Sequence, residues 1–182
     1  MIAQFNGFEI NPIHNSDAWK VCNLCVANEE RFKRYFPITL EKNLTPTLSQ
    51  YFVEDKVKAF ENKSEFLFTL KHSETRNLAG LVYIKELDWV KNQGEFAYCI
   101  GYNFEGKGLI SKSIKELSKH AFEELGLENL QIIVHKSNVS SVKVAEKNNF
   151  IWKKTLPKAY APPNEDDLDM ELYELHKKDI GN

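Results

Sequence analysis

The sequence predicts a mixed α+β fold, a central and largely antiparallel sheet flanked by helices. Three features predict it. Apolar residues recur at helical spacing in the first third of the chain, short strand-like runs separated by polar turns follow, and beyond residue 106 helical and strand-like segments alternate. The 182 residues are expected to form a single domain over positions 1–182, since domains commonly run to about 100–200 residues.

Residues 7–13 alternate loosely and read as a first strand. Asp17 is placed to cap a helix whose inward face is Val21, Leu24, Cys25 and Asn28, at spacings of three and four. A short helical piece over residues 29–35 is expected to end at Pro37. Thr47 or Ser49 then opens a helix carrying Phe52, Val53, Val57 and Phe60. From Glu65 the period changes. Residues 66–70 and 78–87 are rich in strand formers, 72–77 and 91–94 suit turns, and 95–102 forms a third strand of an antiparallel meander.

Gly106-Lys107-Gly108 opens a helix with Ile110, Ile114, Leu117, Ala121 and Leu125 on one stripe, and Gly126 stops it. Residues 129–135 form a buried strand, 139–148 a helix and 150–156 a strand. Residues 157–167 read as a loop, and 168–175 as the last strand.

Composition narrows the function. Hydrophobic residues make up 42% and charged residues 27%, a globular balance, and the net charge of −2 comes without a basic block, which excludes nucleic acid as the main partner. No apolar run approaches the ~20 residues of a membrane span. Residues 1–8 lack the basic and apolar regions of a signal peptide, and three cysteines do not make a disulfide framework, so the cytoplasm is the expected compartment.

The segment that carries chemistry runs from Tyr102 to Ser111: a strand end, then Asn103-Phe104-Glu105-Gly106-Lys107-Gly108, then a helix. A strand feeding a helix start presents unpaired N–H groups beside the positive end of the helix dipole, an arrangement that binds phosphate. Two glycines two apart also make a plain turn, and both readings stand on spacing alone. The loop is neither GxxxxGK[ST] nor the three-glycine dinucleotide fingerprint.

Residues 95–114, EFAYCIGYNFEGKGLISKSI, and 138–150, NVSSVKVAEKNNF, together resemble the acetyl-CoA-binding core of the GNAT superfamily of N-acetyltransferases. The likeness is strongest to the RimJ/RimL-like branch, which acetylates ribosomal proteins. The EINPI strand at 9–13 and the helices before Ser64 fit as well, so the resemblance spans nearly the whole chain. Three positions depart from the pattern. Asn103 replaces the usual Gln or Arg, and Asn149 replaces a glycine at a helix end, where asparagine is the next-best left-handed residue. Ala145 stands where many relatives carry a general-acid tyrosine.

The resemblance implies acetyl-CoA as cosubstrate, with no metal. The amides of Gly106, Lys107, Gly108, Leu109 and Ile110 would hold its pyrophosphate, with Ser111 nearby. The main chain of Tyr98, Cys99 and Ile100 would pair with its pantetheine arm, and Asn138 would bind the same arm. On spacing alone Asn138 reads first as a helix N-cap, and the resemblance reverses that order. The resemblance makes Glu95, which by alternation shares a face with Ala97 and Cys99, the general base. Its other reading is a solvated turn carboxylate. Ser141 either protonates the departing thiolate or sits in the first turn of its helix. Cys22 and Cys25 form a CxxC best read as core packing. The acidic run Glu165-Asp166-Asp167 is a solvated loop or an attractor for a protonated amine.

These readings imply an N-acetyltransferase acting on a primary amine, with a protein N-terminal α-amine as leading acceptor. The alternatives are a small amine (a polyamine, amino sugar or aminoglycoside) or a coenzyme-A-binding sensor without turnover. A monomer or homodimer is expected.

Overall fold

The computed structural model describes residues 1–180. An Asn-Gly pair produces the first departure from the sequence reading. Asn6 and Gly7 take left-handed angles, φ 50° and 77°, the backbone of a two-residue hairpin turn. The chain therefore begins with a hairpin of β1 (Ala3–Phe5) and β2 (Phe8–Pro12), paired Ala3↔Ile10 to Phe5↔Phe8, and not with one strand over 7–13.

Asp17 precedes α1 (Ala18–Ala27) as expected, but its side chain does not cap that helix. Its Oδ2 turns back to accept the His14 N–H at 3.1 Å across a single 3-10 turn, Asn15–Asp17. Its Oδ1 lies 2.6 Å from Lys71 Nζ, with both residues buried, although Oδ1 makes no hydrogen bond of good geometry. Charge attraction holds the pair.

Three more helices follow: α2 (Glu29–Phe32), α3 (Pro37–Glu41) and α4 (Pro46–Glu61). Pro37 starts a helix where the sequence reading had it end one, and Pro46 opens α4, with the Thr45 hydroxyl accepting the Leu48 N–H at 3.3 Å. Proline suits a first helical position because its missing N–H would have no partner there. The cap is thus Thr45, earlier than Thr47 or Ser49.

The remaining elements are β3 (Phe66–His72), β4 (Leu78–Asp88), β5 (Gln93–Ile100), α5 (Leu109–Glu123), β6 (Asn129–Val134), α6 (Val139–Lys147), β7 (Ile151–Tyr160) and β8 (Leu168–His176). The eight strands are hydrogen-bonded in the order β1-β2-β3-β4-β5-β6-β8-β7. β5 and β6 are parallel, while β1/β2, β2/β3, β6/β8 and β7/β8 are antiparallel, which makes a mixed, mostly antiparallel sheet with helices beside it. β7 is longer than expected. It runs through Pro157 with a bulge between Leu156 and Tyr160, where Lys158 has φ 49° and donates its N–H to Asp169 Oδ1 at 2.8 Å. Proline is tolerated because β7 is an edge strand.

The chain forms two compact units, Met1–Tyr83 with Tyr98–Leu109, and Ile84–Ala97 with residues 110–180. In the first, β3 is buried along nearly its whole length, and the Phe60 ring of α4 meets Phe66 and Phe68 edge-on at 4.9 and 5.4 Å. Such ring pairs add about 0.5–1.5 kcal/mol beyond area burial. In the second, α5 buries Ile110, Ile114, Leu117, Ala121 and Phe122, while Leu125 falls beyond its end. α6 closes on Asn149 at φ 62°, with Asn149 N–H to Glu146 O at 3.1 Å and Phe150 N–H to Ala145 O at 3.0 Å. That is the paired hydrogen bonding of a left-handed helix stop. Among the described residues no helix is long and apolar enough to cross a membrane.

Removing the charge of Asp17 should be costly, because it leaves Lys71 buried and unpaired. Asp17→Asn is expected to lower stability by about 3–5 kcal/mol in urea titration. Lys33→Met, which breaks an exposed helix pair with Glu29 and Glu30, should leave the midpoint unmoved.

Candidate active site

In the first unit, β5 ends at Ile100 and a 3-10 turn, Tyr102–Phe104, leads into the glycine loop. The turn is held from below by Asn28, whose Oδ1 accepts the Tyr102 N–H at 2.9 Å while its Nδ2 donates to Leu24 O at 2.8 Å. The sequence reading placed Asn28 on the packing face of α1 but did not foresee this second task. Arg31 pairs with Glu105 and stands 5.6 Å from the Tyr102 ring centroid.

Gly106 and Gly108 both take φ 70°, and a β-carbon at either would meet nothing within 4 Å. The glycines are therefore required by backbone angle and leave open space above the loop. No hydrogen bond from the amides of Gly106, Lys107 or Gly108 is among those the described residues form. α5 begins immediately after, at Leu109. Unclaimed amides at Gly106, Lys107 and Gly108, directly before a 15-residue helix, are the kind of donors that suit a phosphate.

In the second unit, β5 pairs with β6 from Gln93↔Asn129 to Phe96↔Ile132, so Glu95 stands directly beside Gln131. The Glu95 side chain is 16% exposed, and Lys85 Nζ of β4 lies 3.5 Å from its Oε1. Burial raises the Glu95 pKa above the usual carboxylate range. Lys85 opposes that rise, and Glu86 adds to it. Glu95 is thus a largely buried strand carboxylate and not a solvated turn carboxylate. Lys85 was missed because a lysine on a strand carries no signal until its partner strand is known. The alternation expected along β5 slips: Gly94 and Phe96 are buried, but so is Cys99, so Cys99 does not continue the half-exposed series of Glu95 and Ala97.

After β6, Asn138 caps α6. Its Oδ1 accepts the Ser141 N–H at 3.3 Å and the Ser140 hydroxyl at 3.1 Å. That is the capping role, and it occupies only the carbonyl end, so the Nδ2 donors remain for a ligand. Ser141 lies half-buried in the first turn. Ser111 Oγ accepts from Asn148 Nδ2 at 3.0 Å, tying the first turn of α5 to the end of α6. Ala145 is fully buried.

The three cysteine side chains are packed in the interior. Cys22, Cys25 and Cys99 are free and buried. Burial, with Cys22 nearby, pushes the Cys25 thiol up to about 12, and burial likewise pushes Cys99 up. Neither is a thiolate at neutral pH. A cavity of about 290 Å³ opens in the first unit between α1 and the Tyr102–Phe104 turn. None of the residues expected in the site lines it, so the cavity and the expected chemistry are separate features.

Comparison with known proteins follows from this geometry. The sequence profile described as Acetyltransferase (GNAT) domain matches residues 8–151. The "Putative ribosomal N-acetyltransferase YdaF" of Bacillus subtilis (strain 168) is 25% identical over 142 residues, 78% of this chain and 76% of that protein. Spermidine N(1)-acetyltransferase of Escherichia coli (strain K12) is 26% identical over 113 residues, 57% of this chain and 61% of that protein. Among solved structures, the ribosomal-protein-S5-alanine acetyltransferase from Vibrio fischeri superposes with a TM-score of 0.90 at 18% identity, covering 99% of this chain and 98% of the other. RimL, a ribosomal L7/L12 α-N-protein acetyltransferase in complex with coenzyme A, gives 0.87 at 16% identity, covering 96% and 97%. At these identities the structures establish the shared fold.

The raised Glu95 pKa has a stability signature. A carboxyl whose folded pKa exceeds its unfolded value, about 4.3, favours folding while protonated, and that contribution is lost as pH rises through the folded value. Glu95→Gln should therefore match the parent near pH 4 and melt at higher temperature near pH 7. A melting difference that is the same across this range would show that Glu95 is not held in an unfavourable ionised state.

Proposed function

Because the chain belongs to the acetyltransferase (GNAT) domain family, we propose that it transfers an acetyl group from acetyl-CoA to a primary amine, preferentially a protein N-terminal α-amine. The observation that carries the coenzyme assignment is the glycine loop, with two left-handed glycines and amides that no other described group claims, opening α5. In this reading Gly106, Lys107 and Gly108, with Leu109, Ile110 and Ser111 in the first turn of α5, hold the pyrophosphate. The main chain of Tyr98, Cys99 and Ile100 and the Nδ2 of Asn138 bind the pantetheine arm. No metal takes part, and the chain works as one domain.

Acetyl-CoA brings an activated acyl carbon. The protein's own part is position and proton management. Glu95, with its raised pKa, accepts the proton of the incoming amine through water, which is the work of a base tuned toward neutrality. The amine nitrogen bonds the acyl carbon and the carbon–sulfur bond breaks. Ser141 then passes a proton to the departing thiolate and regains one from solvent, in place of the tyrosine that Ala145 replaces.

The α-amine is favoured on chemical grounds and by the ribosomal N-acetyltransferases among the relatives. An α-amine has a pKa of about 8 and a lysine about 10.4, so near pH 7 roughly a tenth of the former is neutral against under a thousandth of the latter. The spermidine acetyltransferase relative makes a polyamine the competing acceptor. Coenzyme-A thiol release should be measured with free N-terminal peptides that copy the starts of ribosomal proteins, N-blocked lysine peptides and spermidine. The free N-terminal peptides are expected to give the highest kcat/KM. Faster turnover of either of the others would replace the acceptor assignment.

Gly108→Val tests the coenzyme site. A branched side chain at φ 70° costs about 1–2 kcal/mol, a shift of roughly 2–8 °C in melting temperature, and it intrudes on the open space above the loop. Acetyl-CoA affinity by calorimetry should fall by at least about tenfold. Unchanged affinity would make the loop a plain turn.

A further inference from the structure

We propose that the cavity beside the Tyr102–Phe104 turn is a second ligand site, which takes a planar heteroaromatic ring of purine size without positive charge. The inference does not rest on the acetyl-transfer reading, since none of the residues assigned there lines the cavity.

Three observations specify the ligand. Three rings stand on the walls: Trp19 of α1 is 56% exposed and Tyr102 is 69% exposed, and Phe104 joins them. Flat faces of this kind stack on heteroaromatic bases whatever the base's identity. Next, the side-chain amides of Asn23, Asn77 and Asn103 line the cavity and form no hydrogen bond among the described residues. A carboxamide offers a donor and an acceptor side by side, the pairing found on a purine edge. Finally, the lining cation, Lys20, shares the Asp17 carboxylate with Lys71, and no lining residue is acidic. The ligand therefore carries no positive charge in this part. A volume of about 290 Å³ accommodates a bicyclic ring with a small substituent and is at the lower end for small-molecule sites, roughly 300–1,000 Å³.

The site is also preformed. Its floor includes Gly101, where an added β-carbon would lie 3.2 Å from Leu24 Cδ1 and 3.4 Å from Asn28 Nδ2. The turn thus lies against α1 as closely as a glycine allows. Asn28 fixes the Tyr102 amide, Arg31 stands against the Tyr102 ring, and Phe104 packs edge-on to Phe8 at 5.8 Å. Walls fixed before binding lose little entropy when a ring enters.

Adenosine serves as the probe, titrated calorimetrically into the full chain with and without saturating coenzyme A. Binding with a Kd below about 1 mM is expected, and it should persist when coenzyme A is saturating. Trp19→Ala should weaken it by roughly 5- to 150-fold, the usual worth of one aromatic stacking partner. Asn23→Trp, on the exposed face of α1, fills the cavity and should abolish it. Acetyl-CoA affinity should stay within about threefold in both variants, as expected for surface changes away from its site. Three results would overturn the proposal: no binding at millimolar adenosine, equal binding by the Trp19→Ala variant, or displacement of adenosine by coenzyme A.

Discussion

The chain must stop β5 and start α5 between residues 100 and 109 while leaving backbone amides uncovered, and most of the functional geometry follows from that constraint. A helix start always has donors without intrahelical partners. An ordinary turn would cover them with its own carbonyls or with a capping side chain. Left-handed angles at Gly106 and Gly108 turn the backbone, and the amides of Gly106, Lys107 and Gly108 carry no hydrogen bond among the described residues. The cost is backbone freedom, since glycine loses more conformational entropy than any other residue on ordering. Asn28, Arg31 and Glu105 offset it by tying the turn to α1 and α2 through side chains. The same fixed turn supplies one wall of the neighbouring cavity.

Two shielded carboxylates differ in how closely a lysine approaches them. Asp17 is fully buried with the Lys71 ammonium at 2.6 Å, and its other oxygen holds the His14 amide. Such a group is a fixed counter-charge. Glu95 has Lys85 at 3.5 Å, keeps part of its surface in water, and has its pKa raised by burial. It is the more weakly paired of the two, the kind of carboxylate the proposed base role calls for. That arrangement costs folding free energy at neutral pH, a common trade at sites that do chemistry.

Asparagine recurs where either a glycine or a charged group would be the obvious choice. Asn6, Asn92, Asn149 and Asn164 all take positive φ, a conformation asparagine tolerates better than other side chains because its short amide bonds locally. Asn149 thereby replaces a glycine without loss of the helix stop. At Asn28 and Asn138 the amide's two ends divide the work: Oδ1 accepts backbone N–H groups, while Nδ2 bonds Leu24 O in one case and stays available in the other. A carboxylate in either place would have lacked the donor.

Much of the fold was legible because it is local. Helical spacing gave α1, α4, α5 and α6, strand formers gave β3 to β6 and β8, and the glycine loop stood out between a strand and a helix. The Asn6-Gly7 hairpin was equally legible and was passed over. Pro37 and Pro46 misled because a proline marks a helix start as readily as an end, and only the backbone on either side tells which. What lay beyond the sequence was non-local. The last strand inserts between β6 and β7, Lys85 meets Glu95, Asp17 meets Lys71, and Asn28 holds Tyr102. Residues far apart in the chain carry no mark of one another, since pattern and propensity describe how a segment folds on itself. The sequence determined most of the elements and the glycine turn before α5, because these are local. Tertiary packing decided that Asp17 meets Lys71 at 2.6 Å while Glu95 meets Lys85 at 3.5 Å, because those partners lie far apart in the chain.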